Sequence, residues 1–194
     1  STILIENGFH SLFFPGGTRS RSGGVDQRLK LGLMGTGIEA YTRTLLRGAE
    51  RKVYFVPATI NYLITLEAET LINDFLKDAG KARFIIEDDE STRVSRVAAF
   101  ARKLLGMDGS VVIRFGTPLD PFGSPVDKDG GSRDFRGRAV AASSYVCDID
   151  GQVTLDGGRN AQYTRELGHE IANSFKRDTV IMSTNIVAAA CFDY

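Results

Sequence analysis

The sequence predicts an α/β fold, a mixed or mostly parallel sheet with helices on both faces, incomplete at its N-terminus. Three observations lead there. Short apolar, β-branched runs alternate with helical stretches of roughly 10 to 15 residues, the pattern of βαβ units. The composition, 42% hydrophobic and 25% charged over 194 residues, is that of an ordinary globular domain. No apolar run reaches the roughly 18 to 20 residues of a membrane-spanning helix, and no signal peptide is visible.

The elements follow in order. Ile3, Leu4 and Ile5 form an apolar stretch that Gly8 ends as a helix C-cap. Ser11 to Phe14 reads as a short buried strand, running into the Gly/Ser/Arg loop Pro15 to Gly24. Leu29, Leu33, Ile38, Tyr41 and Leu45 recur at near-helical spacing, so residues 29 to 48 form a helix, with a break expected around Gly35 and Gly37. Lys52 to Asn61 is a strand containing Pro57; Leu66 to Ala79 is a helix, Arg83 to Ile86 a strand, Val94 to Leu105 a helix and Val111 to Phe115 a strand. Residues 116 to 138 hold three of the five prolines with many Gly and Asp, and read as a long loop excursion of the kind that is functional or mobile. Asp150-Gly151 suits a hairpin turn. Tyr163, Leu167, Ile171 and Phe175 mark an amphipathic helix. From Ser183 a helical run carrying Ile186, Val187, Ala190 and Cys191 stops at Tyr194, and there is no initiator Met, so both ends read as interrupted. No internal repeat is evident.

Lys plus Arg (24) balance Asp plus Glu (24), which excludes the overall basic field of a nucleic-acid-binding protein and makes any anion site local. Cys147 and Cys191 are isolated, without metal-ligand spacing, and read as reduced thiols of an intracellular protein. Glu87 to Glu90 is a solvated acidic run before a helix rather than a metal site. Asp120, Asp127, Asp129 and Asp134 show no readable spacing and are taken as solvated loop carboxylates.

The most informative stretch is Phe14-Pro-Gly-Gly-Thr-Arg-Ser-Arg-Ser-Gly23. Arg19 and Arg21 lie two apart in a Gly-rich loop among the hydroxyls of Thr18, Ser20 and Ser22. Guanidinium forks match phosphate oxygens, and glycine lets backbone amides approach an anion. On chemistry alone, a phosphate cradle and a flexible loop of solvated arginines remain equal readings. Gly35-Thr-Gly37-Ile-Glu-Ala40 imitates a dinucleotide-binding fingerprint, but the strand after it ends in Ala58-Thr59-Ile60-Asn61, without the acid such a site needs.

The arginine segment is similar to the third of four sequence blocks of glycerolipid acyltransferases, F-P-E-G-T-R-S-R. Val56-Pro57-Ala58-Thr59, about 40 residues on, resembles the fourth. The likeness covers residues 1 to 62 well, and the remainder resembles the C-terminal half of the larger glycerol-3-phosphate acyltransferases less specifically. It implies that residues 1–194 are the C-terminal part of one acyltransferase domain. The implied activity is transfer of an acyl group from acyl-CoA or acyl carrier protein to glycerol 3-phosphate, in a cytoplasmic protein peripheral to the membrane surface, without cofactor or metal. Arg19 and Arg21 would hold the phosphate, Gly16, Gly17, Thr18 and Ser20 would shape the loop, and Pro57 would edge the pocket.

Two departures stand out. The family's Glu is Gly16 here, although soluble plastid-type relatives use a comparable Gly-Gly-Arg-x-Arg loop without it. The His-x4-Asp block that supplies the general base is absent: Pro15 stands five beyond His10 and Ser174 five beyond His169. The resemblance places that block upstream of Ser1, so this chain alone is expected to be inactive and both histidines to be structural or superficial. Alternatives are a 1-acylglycerol-3-phosphate acyltransferase, a non-catalytic anion- or lipid-binding homologue, and a nicotinamide-nucleotide oxidoreductase.

Overall fold

The computed structural model describes residues 1–16, 29–49, 51–63 and 111–192. The chain divides into two compact units: Ser1–Arg19, Val25–Thr59 and Arg114–Thr179 form the first, and Ser20–Gly24, Ile60–Ile113 and Val180–Tyr194 the second. Helices and short antiparallel strands make it a mixed α/β structure. The elements expected at 66–79, 83–86 and 94–105 lie outside the described residues.

In the first unit, helix α1 (Thr2–Glu6) stops at Asn7, and Gly8 follows at φ +85°, a left-handed conformation that glycine adopts without strain. The Glu6 carboxylate is only 3% exposed and lies 2.6 Å from Arg47 and 3.8 Å from Arg43. Both arginines belong to the helix that follows or its C-cap, so α1 is fastened by charge rather than by its apolar side chains. Ile3 and Leu4 accordingly stay exposed.

Helix α2 (Gly32–Leu46) occupies the predicted place without the expected break. Met34, Ile38 and Tyr41 fall on one face and are buried. Thr42 and Thr44 are buried too, and their hydroxyls donate back to the carbonyls of Ile38 (2.9 Å) and Ala40 (2.7 Å). Gly37 permits a close approach: a Cβ there would overlap the Phe55 ring. Helix α3 (Gly157–Asp178) starts at Asp156, whose carboxylate accepts the Arg159 N–H at 2.9 Å, and Lys176 and Arg177 sit in its last turn, where the helix dipole favours cations. Leu167 and Ile171 of α3 join Met34 and Leu119 in one core cluster. Ile38, Tyr41, Phe122 and Val146 form a second, in which the Phe122 ring lies 5.8, 4.9 and 5.1 Å from Tyr41, Tyr145 and Tyr163.

The strands depart from expectation. β1 (Ala58–Tyr62) and β2 (Val111–Phe115) form one two-stranded sheet, and β3 (Ser132–Arg133) and β4 (Ala139–Val140) another. β2 stands where the sequence put it, but regular pairing of the Lys52–Asn61 segment begins only after Pro57, which has no N–H to give a ladder. Ahead of it, Phe55 bridges Leu119 antiparallel, with two hydrogen bonds of 2.8 Å. A mostly parallel sheet covered on both faces is not found among the described residues. The described strands pair antiparallel instead: the turn at residues 134–138 between β3 and β4 is too short for a parallel crossover, whereas residues 63–110 separate β1 from β2.

Residues 116–138 are not the loop excursion that their Pro, Gly and Asp content suggests. They fold as a meander in which Leu119 bridges Pro125, Val126 bridges Ser132, and β3 pairs with β4. Each rung is closed by the same device. Asp120, Asp127 and Asp134 each use Oδ1 to accept the N–H groups two and four residues on, at 2.8 to 3.0 Å. The glycine three residues on has positive φ: Gly123 +88°, Gly130 +77° and Gly137 +77°. Asp148 repeats the arrangement with Gly151 at +76° in the hairpin expected at Asp150-Gly151, where Cys147 bridges Val153. The spacing is thus seven, seven and fourteen. At position 141, where a further Asp would keep the period, Ala stands and the chain runs into a 3-10 helix, Ala142–Val146.

In the second unit, the chain enters along β1 and leaves along β2, and helix α4 (Ser183–Phe192) forms where a helical run was read. Asn61 Oδ1 accepts the Val180 N–H at 3.2 Å and Thr184 Oγ1 donates to the Leu63 carbonyl at 2.7 Å. The described residues of this unit include no charged side chain, and Ile60, Tyr62, Val111, Ile113, Ile186 and Val187 are exposed.

Candidate functional site

Of the residues singled out for phosphate and acceptor binding, Gly16 and Pro57 are described; Gly17, Thr18, Arg19, Ser20 and Arg21 lie outside the described residues. So do Glu87 to Glu90. The segment Ser11 to Phe14 that leads to the arginines is not a strand: it is irregular, with Leu12 87% and Phe14 77% exposed, and only Phe13 turns inward. Its run of apolar residues is too short to distinguish a paired strand from an extended segment holding one anchor.

Pro15 and Gly16 form a turn, and the Pro15 carbonyl accepts the Lys30 N–H at 2.7 Å. That bond ties the residue before Gly16 to the residue after Leu29. Phe13 on one side and Leu29 and Leu31 on the other pack against Met34, Leu119, Leu167 and Ile171. Phe55 packs against the same four side chains from two residues before Pro57. Residues that flank the two sequence blocks, Phe13 before the first and Phe55 before the second, therefore pack on one apolar cluster of the first unit, while Phe14 and Val56 within the blocks are exposed.

Pro57 is buried, and its carbonyl accepts the Gly116 N–H at 2.8 Å. A Cβ at Gly116 would overlap the Asp178 carboxylate, which pairs with Arg177 at 3.3 Å, and the Asp178 carbonyl accepts a hydrogen bond of 3.0 Å from Thr59 Oγ1. The C-terminal end of α3 is thereby set beside Pro57, with the half-exposed Arg177 guanidinium at the surface.

The dinucleotide-like Gly35 to Ala40 stretch lies inside α2. A fingerprint of that kind works as a loop opening onto a helix N-terminus. Here a Cβ at Gly35 would touch Thr164, and one at Gly37 would overlap Phe55, so these glycines serve packing. His10 and His169 are both exposed. Cys147 donates weakly to the Ser143 carbonyl at 3.3 Å, while Cys191 is exposed.

A cleft of about 410 Å³ that no sequence signal announced lies between α2 and the start of α3, lined by Gly35, Glu39, Leu155, Asp156, Asn160 and Thr164 among others. Its carboxylates are engaged: Glu39 accepts from Thr2 (3.2 Å) and Arg43 (2.6 Å), and Asp156 caps α3. The Arg159 N–H at the cap holds the Asp156 carboxyl below the ordinary aspartate range. Among the described residues no group of three or more His, Cys, Asp or Glu is placed to hold a metal ion. Nor is any helix among them long and apolar enough to cross a membrane.

Against expectation, Asp120, Asp127 and Asp134 are regularly spaced and hydrogen-bonded rather than solvated loop carboxylates, whereas Asp129 is exposed as expected. The Gly131 N–H first, and Arg133 second, lower the Asp127 carboxyl; the Arg138 N–H chiefly, with its guanidinium, does the same for Asp134. Their ion pairs span 2.6 and 2.7 Å. Asp120 differs, being 1% exposed, with Oδ2 left without a hydrogen bond. The signal was legible all along, as Asp-x-x-Gly recurring at 120, 127, 134 and 148. Against this geometry, no family model, curated protein or solved structure matches the chain.

Proposed function

We propose that the chain is part of a glycerolipid acyltransferase that moves an acyl group from acyl-CoA or acyl carrier protein to a hydroxyl of glycerol 3-phosphate at a membrane surface. The observation that carries the reading is the pair of ordered blocks, Phe14 to Gly23 and Val56 to Thr59. The packing of the flanking residues Phe13, Leu29, Leu31 and Phe55 on one cluster supports it, since two blocks that build one site need neighbouring segments held together. In this reading Arg19 and Arg21 take the acceptor's phosphate through paired, charge-assisted hydrogen bonds. Gly16, Gly17, Thr18 and Ser20 shape the loop around it, and Pro57 edges the pocket. No cofactor takes part.

The reaction also needs a base to remove the proton of the attacking hydroxyl, and neither His10 nor His169 has an Asp five residues on. Residues 1–194 alone are accordingly expected to bind the acceptor without turning it over. The preference for glycerol 3-phosphate over lysophosphatidate rests on the more than 130 residues that follow the fourth block, which suit the larger enzymes. Binding of glycerol 3-phosphate, 1-acylglycerol 3-phosphate and NAD to the chain by calorimetry tests the reading. Saturable binding of glycerol 3-phosphate with none of NAD is expected. A dominant affinity for lysophosphatidate moves the assignment to the second acylation, and NAD binding alone overturns it.

A further inference from the structure

We draw no further inference here: the strongest candidate, the apolar surface patch that Ile60, Tyr62, Val111, Ile113, Ile186 and Val187 form among the described residues of the second unit, is an exposed face, and nothing in the structure shows what covers it.

Discussion

At Gly37 two residue-scale effects oppose each other. Alanine improves on glycine in a helix by about 1 kcal/mol, but its methyl group would overlap the Phe55 ring, and overpacking typically costs about 1 to 3 kcal/mol. Gly37→Ala should therefore lower stability in urea unfolding, and Phe55→Leu in the same chain should recover part of the loss. A stabilised single variant would contradict the packing. Asp120 poses a different question, because its Oδ1 serves the buried Phe122 N–H and the Ser124 N–H at 2.9 Å each. Asp120→Ala strands those donors at a cost of about 1 to 3 kcal/mol. Asp120→Asn keeps an acceptor and should lose less. Equal losses for the two would mean that the turn does not depend on that oxygen.

At the scale of elements, the ladder makes a prediction about acid. A carboxyl whose folded-state pKa is depressed contributes stability that is complete above its unfolded pKa and is lost as pH falls through the folded one. For Asp127 and Asp134 the window opens below about pH 4. Carbon-detected carboxyl titration should find both midpoints below the ordinary aspartate value, with the amides of Gly131 and Arg138 moving in step. Ordinary midpoints would remove the hydrogen bonds from the account. The same elements show what the sequence disclosed. Helices α2 and α3 were legible because their apolar residues repeat over several turns, and the hairpin at Asp148 because Asp-Gly names its turn. Strands β3 and β4, of two residues each, are too short for a period-two signal. Only the repeated turn could have revealed them, and proline and glycine content hid it as a loop. The parallel sheet rests on an alternation carried largely by residues 64–110, outside the described residues; of the described strands, β3 and β4 pair through a short local turn, and β1 and β2 pair across that same segment.

For the whole molecule, the candidate site was legible as chemistry and not as geometry. Arg19 and Arg21 stand out as residue types in a Gly-rich loop, but nothing in their spacing foretold that Phe13, Leu29, Leu31 and Phe55 would meet on Met34, Leu119, Leu167 and Ile171. The strand assigned to Ser11–Phe14 was lost for the same reason, since one inward side chain does not make a pairing edge. Acyl transfer from a long-chain acyl-CoA to glycerol 3-phosphate by residues 1–194 should be undetectable, as general base catalysis contributes about 10² to 10⁴ in rate. Turnover here would place a general base within residues 1–194, and Gln substitutions of His10 and His169 would show whether either histidine supplies it. The most direct test of the central claim is the affinity of the chain for glycerol 3-phosphate, measured by calorimetry beside Arg19→Ala, Arg21→Ala and the corresponding Lys variants. Hydrogen bonds to charged groups contribute about 1.5 to 3 kcal/mol each, so each alanine should weaken binding roughly ten- to a hundredfold at unchanged thermal stability. Each lysine should fall between, keeping the charge and losing the fork. Undetectable binding by the parent chain, or an affinity that both alanine variants leave unchanged, would contradict the assignment of these arginines to the acceptor's phosphate.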